Sequence, residues 1–241
     1  MPFIMLIDEK GRKHLVRPGG KFESDLGIYQ VPDEAGTTIE SHMGSPARVV
    51  LPSLSDYVRK MERPTRIPHF EDIGYILAQA GLRQGQTVIE AGTGSGACAL
   101  YFSQATGPGG RVVSFDRRED ILQAAGRNIE GFGSRNIELV AGDIRDKPVD
   151  LMGDLVFLDL ASPSEYLELA GQSINPGGLV AAHVPFIEEA SRCIIGLGEL
   201  GLGEVVMTEV NRRDYEVLRS GTRPVPTQTV HTAFLVLGRS P

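Results

Sequence analysis

The fold of this chain turns on Thr87-Val-Ile-Glu-Ala-Gly-Thr-Gly-Ser-Gly-Ala97. A short apolar run reaches Glu90, glycines follow at 92, 94 and 96, and Ala97-Cys98-Ala99-Leu100 opens a run of small and apolar residues. This reads as a strand, a Gly-rich turn and a helix, the arrangement that seats a nucleotide-like ligand at a helix N-terminus. Glycine at these positions allows positive φ and lets the backbone approach a ligand with no Cβ in the way. The spacing is E-x-G-x-G-x-G and not G-x-G-x-x-G. A carboxylate beside the loop repels a pyrophosphate and attracts a sulfonium or an ammonium. The pattern therefore favours S-adenosylmethionine over a nicotinamide dinucleotide.

The following segments repeat the strand-then-acid pattern. Gly109-Gly-Arg-Val-Val-Ser-Phe-Asp116 ends in an acid 20 residues past Gly96, the distance at which a carboxylate typically meets ribose hydroxyls. Ile137-Glu-Leu-Val-Ala-Gly-Asp143 and Asp154-Leu-Val-Phe-Leu-Asp159 do the same. Four successive strands ending in Glu90, Asp116, Asp143 and Asp159 place four carboxylates along one carboxyl edge of a sheet, where open α/β folds bind their ligands.

Composition narrows the function classes. The 241 residues suffice for one large domain or two modest ones, and 41% hydrophobic content is ordinary for a soluble globular protein. No apolar run approaches the length that spans a bilayer, and the short apolar run after Met1-Pro2 lacks the basic region of a secretory leader. Cys98 and Cys193 give no disulfide framework, and Cys98 reads as a small buried residue. With five unpaired histidines, no metal site is expected. A reducing cytoplasm is the expected compartment. The net charge of −7 does not advertise nucleic-acid binding. The charge is uneven, however: residues 1–70 hold 10 Lys and Arg against 9 Asp and Glu, and residues 71–241 hold 14 against 22. Arg59, Lys60, Arg63 and Arg66 form one basic cluster, and Arg212, Arg213, Arg219 and Arg223 another. Either cluster alone also reads as a solvated face.

Three regions are expected. Residues 1–51 carry short alternating segments, Phe3–Ile7, Lys13–Arg17 and Ala47–Leu51, broken by turn residues, and read as a small β domain. Residues 52–84 read as connecting helices, one from Ser53 through Glu62 stopped by Pro64, and one over Asp72–Ala80 capped by Gly81. Residues 85–241 read as the α/β unit. Within it, Asp120 is the expected N-cap of a helix through Asn128, and Asn175-Pro-Gly-Gly178 a turn before a buried strand. Ile187–Leu200 is an amphipathic helix. Glu204–Val210 and Thr232–Gly238 are late strands around an Arg/Pro-rich loop. A terminal antiparallel pair after five parallel strands predicts a seven-stranded, Rossmann-like class I methyltransferase sheet rather than the six-stranded dinucleotide one.

Assembled, these pieces resemble the tRNA (adenine-58-N1)-methyltransferase family in its archaeal and bacterial homo-oligomeric form. The resemblance runs through Leu6–Arg12, Leu54–Arg63, Val88–Ala97, Val140–Ile144, Phe157–Leu160 and His231–Arg239. Two stretches depart from the family pattern: Thr65–Asp72, where the family usually carries a Gln and a Pro-Lys-Asp, and the run from Asp159 to Tyr166. The resemblance implies S-adenosylmethionine as cofactor, tRNA as substrate, a homotetramer, and methyl transfer to adenine N1. It implies a cofactor site at Glu90, Gly92, Thr93, Gly94, Ser95, Gly96 and Ala97, with Asp116 and Arg117 toward the ribose, and Asp143 and Ile144 toward the adenine. Asp159, beside the cofactor, is the expected catalytic residue. Tyr166, His183 and His231 are expected around the target base, and Arg59, Arg63, Arg66, Arg212 and Arg223 on the RNA phosphates. From the residues alone, a methyltransferase for a small molecule or protein (an isoaspartyl or corrin-pathway substrate), a non-catalytic partner subunit and a dehydrogenase stay open.

Overall fold

Alternation of side chains along each central strand sets the layering. In the computed structural model, which describes residues 2–148, 150–226 and 231–241, Val88 and Phe157 face one core while Ile89, Ala91, Val156 and Leu158 face another. Both faces of the sheet are therefore covered, as parallel strands require.

The chain begins with β1 (Ile4–Asp8), β2 (Lys13–Val16), β3 (Lys21–Ser24), β4 (Gly27–Gln30), β5 (Thr37–Glu40) and β6 (Pro46–Val50). An antiparallel sheet of order β2-β1-β6-β5, with β3 and β4 as a separate hairpin, encloses Leu6, Val16, Tyr29 and Val49. Helix α1 (Leu54–Lys60) follows, with the Ser53 hydroxyl accepting from the Asp56 amide at 3.2 Å. Helix α2 (Phe70–Ala80) begins two residues before the predicted Asp72 and ends at the predicted cap, Gly81, at φ +59°.

The large sheet then forms from β7 (Thr87–Ala91), α3 (Ala97–Thr106), β8 (Arg111–Asp116), α4 (Glu119–Phe132), β9 (Ile137–Ala141), β10 (Gly153–Leu158), α5 (Leu167–Gln172), β11 (Ile174–Val184), α6 (Ile187–Glu199), β12 (Gly203–Thr208), the hairpin β13 (Tyr215–Leu218) and β14 (Gly221–Pro224), and β15 (Phe234–Arg239). Its order is β12-β15-β11-β10-β7-β8-β9. The strands from β7 to β11 pair in parallel, and β15 runs antiparallel between β11 and β12. This is the predicted seven-stranded Rossmann-like class I methyltransferase sheet, preceded by the small antiparallel sheet. Strand order reverses between β7 and β10, so their carboxyl ends flank the crevice where such folds bind ligands. Among the described residues, no helix is long and apolar enough to cross a membrane.

Three local expectations need correction. The cap of α4 is Arg118, not Asp120, because Asp116 at the strand end already accepts the Arg118 amide at 3.1 Å. Asn175–Gly178 is not a separate turn. It lies inside β11 as a register shift against β10, and a Cβ on Gly178 would lie 2.8 Å from the Ile174 side chain. The late Arg/Pro-rich loop contains the β13–β14 hairpin, and its residues 227–230 lie outside the described residues.

Asn128 on α4 ties the connecting segment to the Gly-rich turn. Its amide nitrogen donates to the carbonyls of Glu62 and Ser95, each at 2.9 Å, and its side-chain oxygen accepts from the Glu62 amide at 3.1 Å. Tyr57 on α1 donates to the Asn128 carbonyl at 2.7 Å. Each such buried bond is worth about 1 kcal/mol, and more when its loss strands a partner. Asn128→Ala is expected to lower unfolding free energy by about 2–3 kcal/mol, read from the urea midpoint.

Candidate active site

Three of the four strand-end acids, Asp116, Asp143 and Asp159, line one cleft of about 470 Å³ with Gly92, Arg117, Arg118, Ile144 and Tyr166 among others, and Glu90 is buried next to its Ala91 wall. The Gly-rich turn forms one wall. Gly92, Gly94 and Gly96 have φ of +100°, +53° and +81°, which L side chains rarely adopt. At Gly92 space decides as well, because a Cβ there would sit 2.1 Å from the Asp159 carbonyl oxygen. The Gly92 and Thr93 amides donate to Phe115 at 2.8 and 3.1 Å, and the Gly96 amide to Thr93 at 2.8 Å. Ser95 and Ala97 are buried at the start of α3.

Glu90 is fully buried. Ser114, its register partner on β8, donates to Glu90 Oε2 and exchanges a hydrogen bond with the Thr93 hydroxyl at 2.7 Å. Glu90 Oε1 has no partner. Burial, with the charges of Asp159 and Asp116 nearby, pushes the Glu90 pKa up to about 8. An orphaned acid beside a positive-φ turn suits a cationic group that would restore its charge and its missing hydrogen bond.

Asp116 is held differently. The Arg118 guanidinium donates to both its oxygens at 3.0 Å, and the Gly94 amide adds a bond at 3.2 Å. Burial works to raise its pKa, but Arg118 and these amides outweigh burial, so the net direction is down. Asp143 caps the 3-10 turn Ile144–Asp146, accepting from the Arg145 amide at 2.9 Å. Arg117 donates to it, as does the Tyr166 hydroxyl at 3.2 Å, while Arg117 also bonds Tyr166 at 2.6 Å. The Arg145 guanidinium stacks 4.1 Å over the Tyr166 ring. Tyr166, expected from sequence around the target base, is therefore bonded to Asp143 and Arg117.

Asp159 follows β10, its amide bonded to Ala91 at 2.9 Å and its side chain 28% exposed. His183 Nδ1 lies 3.1 Å from Asp159 Oδ1. His231 is exposed, paired with Glu209 at 2.6 Å and with the Pro185 carbonyl at 3.1 Å, and Glu209 raises its pKa.

The basic clusters only partly converge. Arg59, Arg63 and Arg212 line a second cleft of about 220 Å³ with His69, Phe70 and Glu71. There Arg59 stacks 4.6 Å over Phe70, Arg63 donates to the Val58 carbonyl at 3.0 Å, and Arg212 pairs with Glu71 and Asp214. Arg66 is exposed and does not line this cleft, and Arg223 pairs with Glu216 across the β13–β14 hairpin. Sequence reasoning did not single out Arg118, Asn128 or Asp72. The available signal for Asp72 was its position beside Ile73 on the buried face of α2.

Glu90 also yields a stability test. Its folded pKa lies above the ordinary carboxylate value, so its contribution is full below that value and is lost as pH rises toward about 8. Glu90→Gln is expected to match the wild-type melting temperature near pH 5 and to exceed it near pH 8, measured by thermal denaturation of the ligand-free protein.

A family profile described as the tRNA methyltransferase complex GCD14 subunit matches residues 49–234. The tRNA (adenine(57)-N(1)/adenine(58)-N(1))-methyltransferase TrmI of Methanocaldococcus jannaschii is 32% identical over 266 residues, covering 98% of this chain and 94% of that one. The tRNA (adenine(58)-N(1))-methyltransferase TrmI of Thermus thermophilus is 31% identical over 243 residues, covering 97% and 94%. Among solved structures, an S-adenosylmethionine-dependent O-methyltransferase of Thermotoga maritima superposes with a TM-score of 0.86 at 25% identity, over 99% of this chain and 92% of that one. The matched span and the near-complete coverage of these relatives settle membership: the chain belongs to the tRNA methyltransferase GCD14-subunit family.

Proposed function

We propose that the protein methylates N1 of an adenine in tRNA, at position 58 of the T-loop, with S-adenosylmethionine as donor. The observation that carries this reading is the Asp159 carboxylate at the strand-order reversal. Its Oδ1 takes His183, while its Oδ2 has no protein hydrogen bond among the described residues. The cofactor fits the residues present, because Glu90 has an unpartnered buried oxygen beside a turn of three positive-φ glycines. When bound, the cofactor supplies an electrophilic methyl group on a sulfonium. The Ser95, Gly96 and Ala97 backbone and Glu90 would hold its amino-acid end. Asp116 would accept from the ribose, and Asp143 with the Ile144 amide would meet the adenine.

Adenine N1 has a lone pair, so the acceptor needs no strong base. Methylation leaves the ring cationic. A carboxylate accepting from the exocyclic amine stabilises that charge as it grows, and Asp159 is the group assigned this role. N1 lies on the Watson–Crick edge, so the base must be turned out of its stack. Arg59, Arg63 and Arg212 would carry phosphates at their cleft. A homotetramer in the cytoplasm is part of the proposal, since several copies would join short basic patches that one subunit of net charge −7 cannot extend. Residues 1–51 would act as a small β unit, 52–84 as the connection and 85–241 as the catalytic unit. The likeness to an O-methyltransferase favours a second reading, a hydroxyl acceptor on a small molecule.

Incubation with unmodified tRNA transcript and methyl-labelled S-adenosylmethionine is expected to yield 1-methyladenosine on nucleoside analysis. Asp159→Ala should lower kcat about 100- to 1,000-fold while cofactor affinity, measured by calorimetry, is retained. Labelling of a small hydroxyl compound with unlabelled tRNA would support the second reading. Arg59→Ala and Arg212→Ala should weaken tRNA binding for all sequences alike, each reducing the salt slope by about 1.

A further inference from the structure

Asp72 is fully buried on α2, and neither of its carboxylate oxygens has a hydrogen-bond partner. The group it faces is His183 on β11, whose Nε2 lies 3.7 Å from Asp72 Oδ2 and is itself unpartnered. The opposite ring nitrogen is the one bonded to Asp159 at 3.1 Å. The imidazole is thus held between two carboxylates. A carboxylate only accepts, and a neutral imidazole has one N–H, so only the doubly protonated ring serves both neighbours. We infer that Asp72 and His183 are positioning residues for Asp159: His183 as an imidazolium fixes the orientation of Asp159 Oδ1, and buried Asp72 balances the imidazolium so that one net negative charge stays at the target base.

This rests on the reading of Asp159 as the group that meets the adenine amine. Its logic is electrostatic. An imidazolium alone beside Asp159 cancels the charge that is to stabilise a cationic base. A neutral imidazole leaves the charge but presents one N–H for two acceptors. A second carboxylate behind the ring keeps both the orientation and the charge. Burial works to lower the His183 pKa, and the two carboxylates outweigh it, raising it to about 9. The other titratable groups around the triad are Glu90 on β7 and Cys98 on α3, both shifted toward their neutral forms, and the exposed His231, paired with Glu209. None of them replaces Asp72 behind the ring.

The test reads the ring directly and then the rate. Nitrogen-15 NMR of histidine-labelled protein is expected to show the His183 imidazole protonated to about pH 8, and lower-titrating in Asp72→Asn. For wild type, kcat should be flat over about pH 6–8. For Asp72→Asn, kcat should be about tenfold lower near pH 6 and recover as the ring loses its proton, with KM for tRNA little changed. Asp72→Asn/His183→Gln removes both charges while keeping a donor to Asp159. It is expected to restore a pH-independent kcat, and it serves if the single variant fails to fold. A wild-type His183 that titrates at its ordinary value overturns the inference, as does an Asp72→Asn variant with wild-type rate and pH profile. The NMR titration needs no RNA, so a protein that leaves tRNA unmethylated would refute the substrate reading while the imidazolium between the two carboxylates is still decided by the ring.

Discussion

Gly92 and the Asp159 carbonyl approach so closely that a single methyl group would collide at 2.1 Å. The Asp159 amide's hydrogen bond to the Ala91 carbonyl at 2.9 Å holds the ends of β7 and β10 together where the strand order reverses, and the bare glycine is what permits this approach. Moving either end apart would separate the glycine turn from Asp159 and widen the cleft that both line. Glycine is required there twice over, by its positive φ and by the approach of the neighbouring strand. The same constraint appears at Gly131, where a Cβ would meet the Tyr57 hydroxyl at 2.5 Å and so keep α1 off α4.

Four carboxylates share this edge, yet they are in different electrostatic states. Glu90 is buried with one neutral donor and leans toward its protonated form. Asp116 and Asp143 are anchored by Arg118 and Arg117 and stay ionised against their burial. Asp159 shares an imidazole with a second carboxylate. Proximity of like charges would otherwise make one site of four acids unfavourable. Distributing arginines, a hydroxyl and a histidine among them gives each acid its own charge environment along the one edge.

The basic surface is organised around α2. Phe70 and Glu71 at its first turn line the cleft with Arg59, Arg63 and Arg212, and the next residue, Asp72, turns inward to His183. One helical turn therefore connects the arginine-lined cleft with the carboxylate behind His183 and Asp159.

Local sequence was enough to specify the large sheet. Apolar runs that each end in an acid, with a glycine-rich turn after the first, encode parallel strands and a ligand edge, because alternation and turn chemistry are local properties. The closing strand at 234–239 and the cap at Gly81 were legible for the same reason. Cap and turn details such as Arg118 and Asn175–Gly178 were not, since Asp116 and the register against β10 decided them from outside the segment. Of the site, the glycines and the four acids could be read as a row. Their distant partners came only with the folded chain: Tyr166 on Asp143, Asp72 behind His183, and Arg212 brought from 141 residues away to Glu71. Those pairings follow from packing of α2, α4 and β11 against distant strands, and no local pattern encodes the distance between residues that meet only when the chain is folded.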